Sequence, residues 1–299
     1  MVISNFYKGA ICCILGAVTW GINGVVSQFL LTHYVVDPAW VATVRMLGAG
    51  LILIVPVICK YKQTCCELLH DPVSVRHLLS LSLFGLLLCQ YAYLTAIKYT
   101  NSGTATVMQT LSIVLMSLFL AVRFRRRPSW REQISVVLAI AGVFLVATNG
   151  NPSTMVLSPL GLTWCLIDAV SCVTYPMLSQ GLAVQWGALI VNALGMIVGG
   201  TVLCLGTQTW TLMPTLDGTG WLAVAFIVIV GTALSFTFFV QGIRLVGPMK
   251  STLIGTLEPI TASTVSAYFL GTAFHPAEWI GFVCILATVF IIVAKRPSR

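Results

Sequence analysis

The chain has 299 residues, of which 58% are hydrophobic and 8% charged, with a mean hydropathy of +0.97 and a formal net charge of +8. An average soluble domain carries about 25% charged residues, so there is too little polar surface here to cover a soluble fold of this length. Disordered and collagen-like chains are excluded by the hydrophobicity and the glycine content, leaving an integral membrane protein. Gly9 to Leu31 is free of charge and, at ~1.5 Å per residue, long enough to cross a ~30 Å hydrocarbon core as a helix. It exceeds a signal-peptide apolar region and runs into Thr32-His33-Tyr34 rather than a cleavage site, so it reads as a retained first helix. Further spans follow at 39–59, 78–97, 103–122, 133–149, 158–180, 186–206, 219–242, 251–270 and 278–294. Turn signals punctuate them: Asp37-Pro38, Asn149-Gly150-Asn151-Pro152, Asp217-Gly218, Gly247-Pro248 and His275-Pro276. The stretch 169–216 holds no charge and is too long for one crossing; it divides between Gln180-Gly181 and Gln185-Trp186. The fold class is therefore all-α, with ten transmembrane helices.

The basic residues orient the chain. With the N-terminus inside, 14 of the 16 Lys and Arg fall on the cytoplasmic side. They include Lys60, Lys62 and Arg76, the run Arg123 to Arg131, and Lys295, Arg296 and Arg299. This asymmetry appears only with an even number of spans, so both termini are expected in the cytoplasm and the protein in the cytoplasmic (inner) membrane. Topology and anionic lipid account for Arg125-Arg126-Arg127 better than nucleic acid does. Of the ten cysteines, Cys65-Cys66 lies in a cytoplasmic loop, and Cys12, Cys13, Cys89, Cys165 and Cys172 sit within spans as small apolar fillers. No C-x-x-C pair occurs and all four histidines fall in loops or at helix ends, so neither a metal site nor a cofactor is expected.

A shift of 146 residues aligns Ile97-Lys98 with Ile243-Arg244, Thr110-Leu111 with Thr256-Leu257, Ser117 with Ser263 and Glu132 with Glu278. Two halves, 1–149 and 150–299, then hold five spans each, and an odd number inverts the second half relative to the first. Inverted repeats are a recurrent build of secondary transporters, with the binding site near the midplane.

The run Tyr93-Leu94-Thr95-Ala96-Ile97-Lys98-Tyr99-Thr100, then Ser102 and a small-residue helix, resembles the signature of EamA-domain proteins of the drug/metabolite transporter superfamily. Gly242-Ile243-Arg244 and Leu257-Glu258-Pro259-Ile260-Thr261-Ala262 resemble the same pattern in the second half, and Arg45, Glu132 and Glu278 fit it. The resemblance covers nearly the whole chain as two EamA repeats. It implies export of amino acids or similar metabolites, with drug export and sugar or nucleotide-sugar transport as alternatives. Ser112-Ile113 stands where the first repeat usually has a proline, so the sequence supports a helix break in the second half but not a matching one in the first.

Ionisable groups inside lipid are functional candidates by default. On the sixth helix Trp164, Asp168, Ser171 and Tyr175 share one face, where a carboxylate among aromatics suits a substrate ammonium or a coupling proton. Glu258-Pro259 combines a mid-span carboxylate with a residue that has no N–H for the carbonyl of Gly255. Weaker polar stripes are Trp20, Asn23 and Ser27; Gln90 and Tyr93; and Thr106, Gln109, Thr110 and Ser117. Arg45 reads as structural, snorkelling or paired with a carboxylate. The substrate-binding set is thus Trp20, Asn23, Gln90, Tyr93, Gln109, Trp164, Asp168, Tyr175 and Glu258, with a small molecule, the bilayer and protons as partners. No nucleotide-binding loop or hydrolase motif occurs, which sets an intramembrane enzyme and a channel-like protein behind a carrier. No feature specifies an oligomer.

Overall fold

A computed structural model describes residues 2–151 and 155–293, and among these every regular element is helical. Pro152 of one turn signal and Lys295, Arg296 and Arg299 of the C-terminal charge cluster lie outside the described residues. Eight long helices come first: α1 (Val2–His33), α2 (Pro38–His70), α3 (Pro72–Tyr99), α4 (Ser102–Arg123), α5 (Trp130–Thr148), α6 (Pro159–Trp186), α7 (Ala188–Thr207) and α8 (Gly218–Val246). Two short ones, α9 (Pro248–Gly255) and α10 (Leu257–Phe269), precede α11 (Pro276–Val293). Among the described residues nine helices, α1 to α8 and α11, are long and apolar enough to cross a membrane. The expected ninth of ten spans is divided between α9 and α10.

Two of the turn signals, Asp37 and Asp217, are helix N-caps, and Asn101 and Ser158, which the turn signals do not include, are two more. Asp37 accepts from the Ala39 amide (2.8 Å), Asn101 from Thr104 (2.8 Å), Ser158 from Gly161 (3.0 Å) and Asp217 from Gly220 (2.8 Å). Each satisfies an amide that the first helical turn leaves without a partner. Two boundaries differ from expectation. The helical run of α2 continues past residue 59 to His70 across a kink at Tyr61, whose φ of −131° and ψ of 25° are not helical, and residues 60–70 hold no proline or glycine to end it. The break between the sixth and seventh spans falls at Gly187, whose φ of +89° a residue with a Cβ rarely adopts.

The helix break expected only beside Pro259 occurs twice. Thr110 (φ −66°, ψ −14°) and Thr256 (φ −64°, ψ −10°) interrupt α4 and separate α9 from α10 with nearly the same geometry. Each threonine amide and hydroxyl turns back three residues, to the carbonyls of Val107 and Leu253. The threonine, not the proline, is the common cause; Ile113 has an N–H but directs it to the Thr110 carbonyl (3.1 Å). The 146-residue correspondence extends further. Both α3 and α8 contain a π-helical segment, Leu81–Leu87 and Phe226–Leu234. Glu132 and Glu278 each accept the backbone amide three residues earlier, from Ser129 and His275.

The halves interleave: α1 packs along α8 and α10, α3 against α6, α2 against α7, and α5 against α11. At the last contact a Cβ on Gly142 or Gly281 would lie 2.8–2.9 Å from the other's carbonyl oxygen, so glycine at both positions lets the two backbones approach. Apolar residues fill two clusters, one around Leu30, Leu94, Met108 and Ile285, the other around Met46, Leu68, Leu81 and Met196. Leu51, Val55, Phe84, Val137, Ile140 and Val283 stay exposed on the outside of the bundle, which a bilayer tolerates and water does not.

Candidate functional site

A cavity of about 400 Å³ lies inside the bundle, bounded by residues of α1, α2, α3, α4, α6, α8, α9 and α10. Seven of the nine residues predicted from the sequence line it: Trp20, Asn23, Gln90, Tyr93, Gln109, Tyr175 and Glu258. Both threonine breaks open onto it through Thr110 and Thr256.

Hydrogen bonds hold part of the wall. Tyr93 Oη pairs with Thr106 Oγ1 (2.9 Å), and Tyr175 Oη donates to Asn192 Oδ1 (2.8 Å), whose own amide donates to the Ala188 carbonyl (2.7 Å). Gln109 Nε2 donates to Cys172 Sγ (3.1 Å). Another part of the lining is aromatic. Trp20 meets Phe236 at 6.0 Å and Phe239 at 4.8 Å between ring centres. Glu258 stands close to α1 because Gly21 has no Cβ, which would fall 2.6 Å from the Glu258 carbonyl oxygen.

Trp164 and Asp168 are not on this wall. They share a helix face with Tyr175, as the spacing predicts, but the cavity ends at Cys172, one turn along α6 from Asp168. Trp164 packs edge-on to Tyr91 at 5.5 Å. Asp168 is fully buried; its Oδ1 lies 3.9 Å from Cys89 Sγ and 3.8 Å from Cys172 Sγ, and its Oδ2 has no partner. Helical periodicity fixes the direction in which a side chain points. How deep a cavity reaches along the helix depends on the neighbouring helices.

Several lining residues escaped the sequence-based set, among them Arg45, Phe236, Phe239, Cys89 and Cys172. Arg45 is 7% exposed; its Nε donates to Thr232 Oγ1 (2.9 Å) in the π-helical part of α8, and its Nη1 has no partner. It faces the cavity rather than snorkelling to a helix end or closing on a carboxylate. The rule that singled out Asp168 and Glu258, an ionisable group within a span, applies equally to Arg45 and was sufficient to find it. Phe236 and Phe239 carried no comparable signal among so many apolar residues. Cys89 and Cys172, read as apolar fillers, stand 3.3 Å apart between their sulfurs on the cavity wall.

At one end of the bundle Gln28 joins several elements. Its Oε1 accepts from the Ser102 amide (2.8 Å), Ser102 Oγ (2.8 Å) and Ser266 Oγ (3.1 Å), and its Nε2 donates to Thr272 (3.2 Å). The ends of α1, α4 and α10 and the segment before α11 are tied together there.

A multi-pass helical membrane protein with an ionisable, aromatic-walled cavity inside its bundle has the build of a membrane carrier. The EamA-like transporter family matches residues 7–148 and again 159–294, and the chain belongs to that family. It is 29% identical over 292 residues to the uncharacterized inner membrane transporter YicL of Salmonella typhimurium, covering 98% of this chain and 97% of that protein. It is 24% identical to the uncharacterized inner membrane transporter YedA of Escherichia coli K12, across 93% and 88% of the two chains. The uncharacterized transporter YwfM of Bacillus subtilis is 25% identical, across 96% and 93%. A solved structure described only as a crystal structure of a protein shares the fold, with a TM-score of 0.61 at 17% identity over 96% of this chain and 95% of that one.

Proposed function

We propose that the protein is a secondary transporter of the cytoplasmic membrane that exports amino acids or related zwitterionic or cationic solutes by alternating access. The observation that carries this reading is the presence of opposite charges around one cavity: the guanidinium of Arg45, with Nη1 buried and unpartnered, and the carboxylate of Glu258. A substrate carboxylate suits Arg45, whose remaining donors fit a planar anion. A substrate ammonium suits Glu258 and the faces of Trp20, Phe236 and Phe239. A buried, unpaired guanidinium is costly, so a ligand that completes its hydrogen bonds gains affinity. Glu258 takes over the amine-binding role expected of Asp168, which sits one turn behind the wall; either carboxylate can carry a coupling proton.

In this reading α9 and α10 together make a tenth crossing, and two inverted five-helix repeats divide near Asn149–Gly150. The paired threonine breaks, π-helical segments and glutamate caps support the division. Both ends of the chain then lie in the cytoplasm. The Gln28 knot closes the outer end, and rocking of the repeats opens it while closing the other.

The test is uptake and counterflow in proteoliposomes with labelled amino acids, amines and sugars, with and without a pH gradient. Saturable amino-acid flux is expected, with KM raised at least ~30-fold in Arg45→Gln and in Glu258→Gln, as loss of one partner from a buried charged contact requires. Flux confined to sugars, or an unchanged KM in both variants, would overturn the assignment.

A further inference from the structure

Cys89, Asp168 and Cys172 have their donor atoms within 4.8 Å of one another, bringing α3 and α6 together at the inner margin of the cavity. We propose that this cluster is a binding site for a thiophilic divalent cation such as Zn²⁺ or Cd²⁺, distinct from the solute contacts at Arg45 and Glu258.

The geometry suits a tetrahedral ion. Ligands at ~2.3 Å for sulfur and ~2.0 Å for oxygen imply roughly 3.8 Å between two sulfurs and roughly 3.5 Å between sulfur and oxygen. The three separations here are 3.3, 3.9 and 3.8 Å, each within roughly 0.5 Å of those values before any side chain moves. Asp168 Oδ2 supplies an independent indication. The residue is fully buried, yet this oxygen has no hydrogen-bond partner, an expensive arrangement that a cation beside it would relieve.

A fourth ligand is at hand in Gln109, whose amide group approaches Cys172 Sγ at 3.1 Å. Turning that amide over places Oε1 where the nitrogen stands. Access is through the cavity, because both sulfurs and Gln109 lie on its wall. As the metal–sulfur bonds form, each thiol releases its proton to cavity water. Two thiolates and a carboxylate around a divalent ion leave one negative charge, which the Arg45 guanidinium on the same cavity offsets. Softness of the donors favours Zn²⁺ or Cd²⁺ over Mg²⁺ or Ca²⁺. An ion held there joins a helix of the first family match to one of the second and so fixes their relative position.

The full-length protein, purified in detergent and kept reduced, is titrated with CoCl₂ and separately with CdCl₂. The readouts are the thiolate-to-metal charge-transfer bands and the visible bands of tetrahedral Co²⁺. Expected is one tight equivalent in the wild type that is absent from Cys89→Ser/Cys172→Ser; the eight remaining cysteines give the same background in both. Asp168→Asn keeps both sulfurs and should weaken that equivalent at least ~10-fold. Equal stoichiometry in the wild type and the double variant would overturn the site. Unchanged affinity in Asp168→Asn would overturn the three-ligand cluster, and this single variant decides the matter if the double variant does not fold.

Discussion

Glu132 and Glu278 occupy equivalent positions at the start of the last helix of each half, yet their surroundings make removal of one far more damaging. Glu132 is 6% exposed and its carboxylate accepts five hydrogen bonds: from Ser117 Oγ (2.8 Å), the Ser129 amide (2.6 Å), Ser129 Oγ (2.9 Å), Arg126 Nη1 (2.7 Å) and Arg126 Nη2 (2.6 Å). The ion pair joins the loop before α5 to its first turn, and the Ser117 bond ties both to α4. Glu278 makes one such bond, to the His275 amide (2.7 Å), at an exposed helix start. Glu132→Ala removes the capping box, about 1 kcal/mol, and leaves the buried Ser117 hydroxyl without its charged partner, roughly 1.5–3 kcal/mol; the part-exposed Arg126 is resolvated and adds little, so the cost is about 2–4 kcal/mol. Glu278→Ala removes one cap bond, about 0.5–1 kcal/mol. At roughly 2–4 °C per kcal/mol, Glu132→Ala should melt roughly 4–16 °C below the wild type and Glu278→Ala at most a few degrees below it. Thermal unfolding of the two variants side by side in one detergent is the assay. Equal shifts, or a larger one for Glu278→Ala, would refute the argument that the five-bond network rather than the helix cap carries the energy.

Substituting glycines tests helix approach with opposite signs. Gly21→Ala puts a Cβ against the Glu258 carbonyl oxygen and Thr261, and overpacking of this kind costs about 1–3 kcal/mol. Gly181→Ala meets nothing within 4 Å, so helix propensity alone acts and should stabilise by roughly 0.5–1 kcal/mol. Melting temperatures read both, and a stabilised Gly21→Ala would contradict the close contact between α1 and α10. Asp217 provides a pH test. The Tyr34 hydroxyl and then the Gly220 amide, both donating to it, hold its carboxyl below the usual carboxylate range. Its stabilising contribution is therefore complete above the unfolded value of ~4 and is lost as pH falls through the lower folded value. The melting-temperature gap between wild type and Asp217→Asn should stay constant from about pH 8 to about pH 6 and narrow below about pH 4; a gap independent of pH would exclude the carboxylate's role.

Much of this protein is decided locally and can be read from the sequence. Charge-free runs give the helices, because a backbone in hydrocarbon must satisfy its own hydrogen bonds. Asp37 and Asp217 mark two of their starts, because a short polar side chain reaches the open amides of the first turn, and Asn101 and Ser158 do the same without standing out in the sequence. The 146-residue correspondence anticipated the repeat, and polar residues within spans pointed to seven of the cavity's lining side chains. Other features depend on contacts between segments far apart in the chain. The halt of the cavity at Cys172, which leaves Asp168 behind the wall, follows from how α3 lies on α6. The break at Thr110 without a proline comes from a hydroxyl and an amide turning back three residues, a conformation a threonine permits but does not dictate. Arg45 faces inward because Thr232, 187 residues further on, holds its Nε. Cys89 and Cys172 look like any other small residues in apolar helices until packing sets their sulfurs 3.3 Å apart beside a buried carboxylate. Periodicity along one helix sets the direction of each side chain, and only the packing of helices against one another decides what that side chain meets.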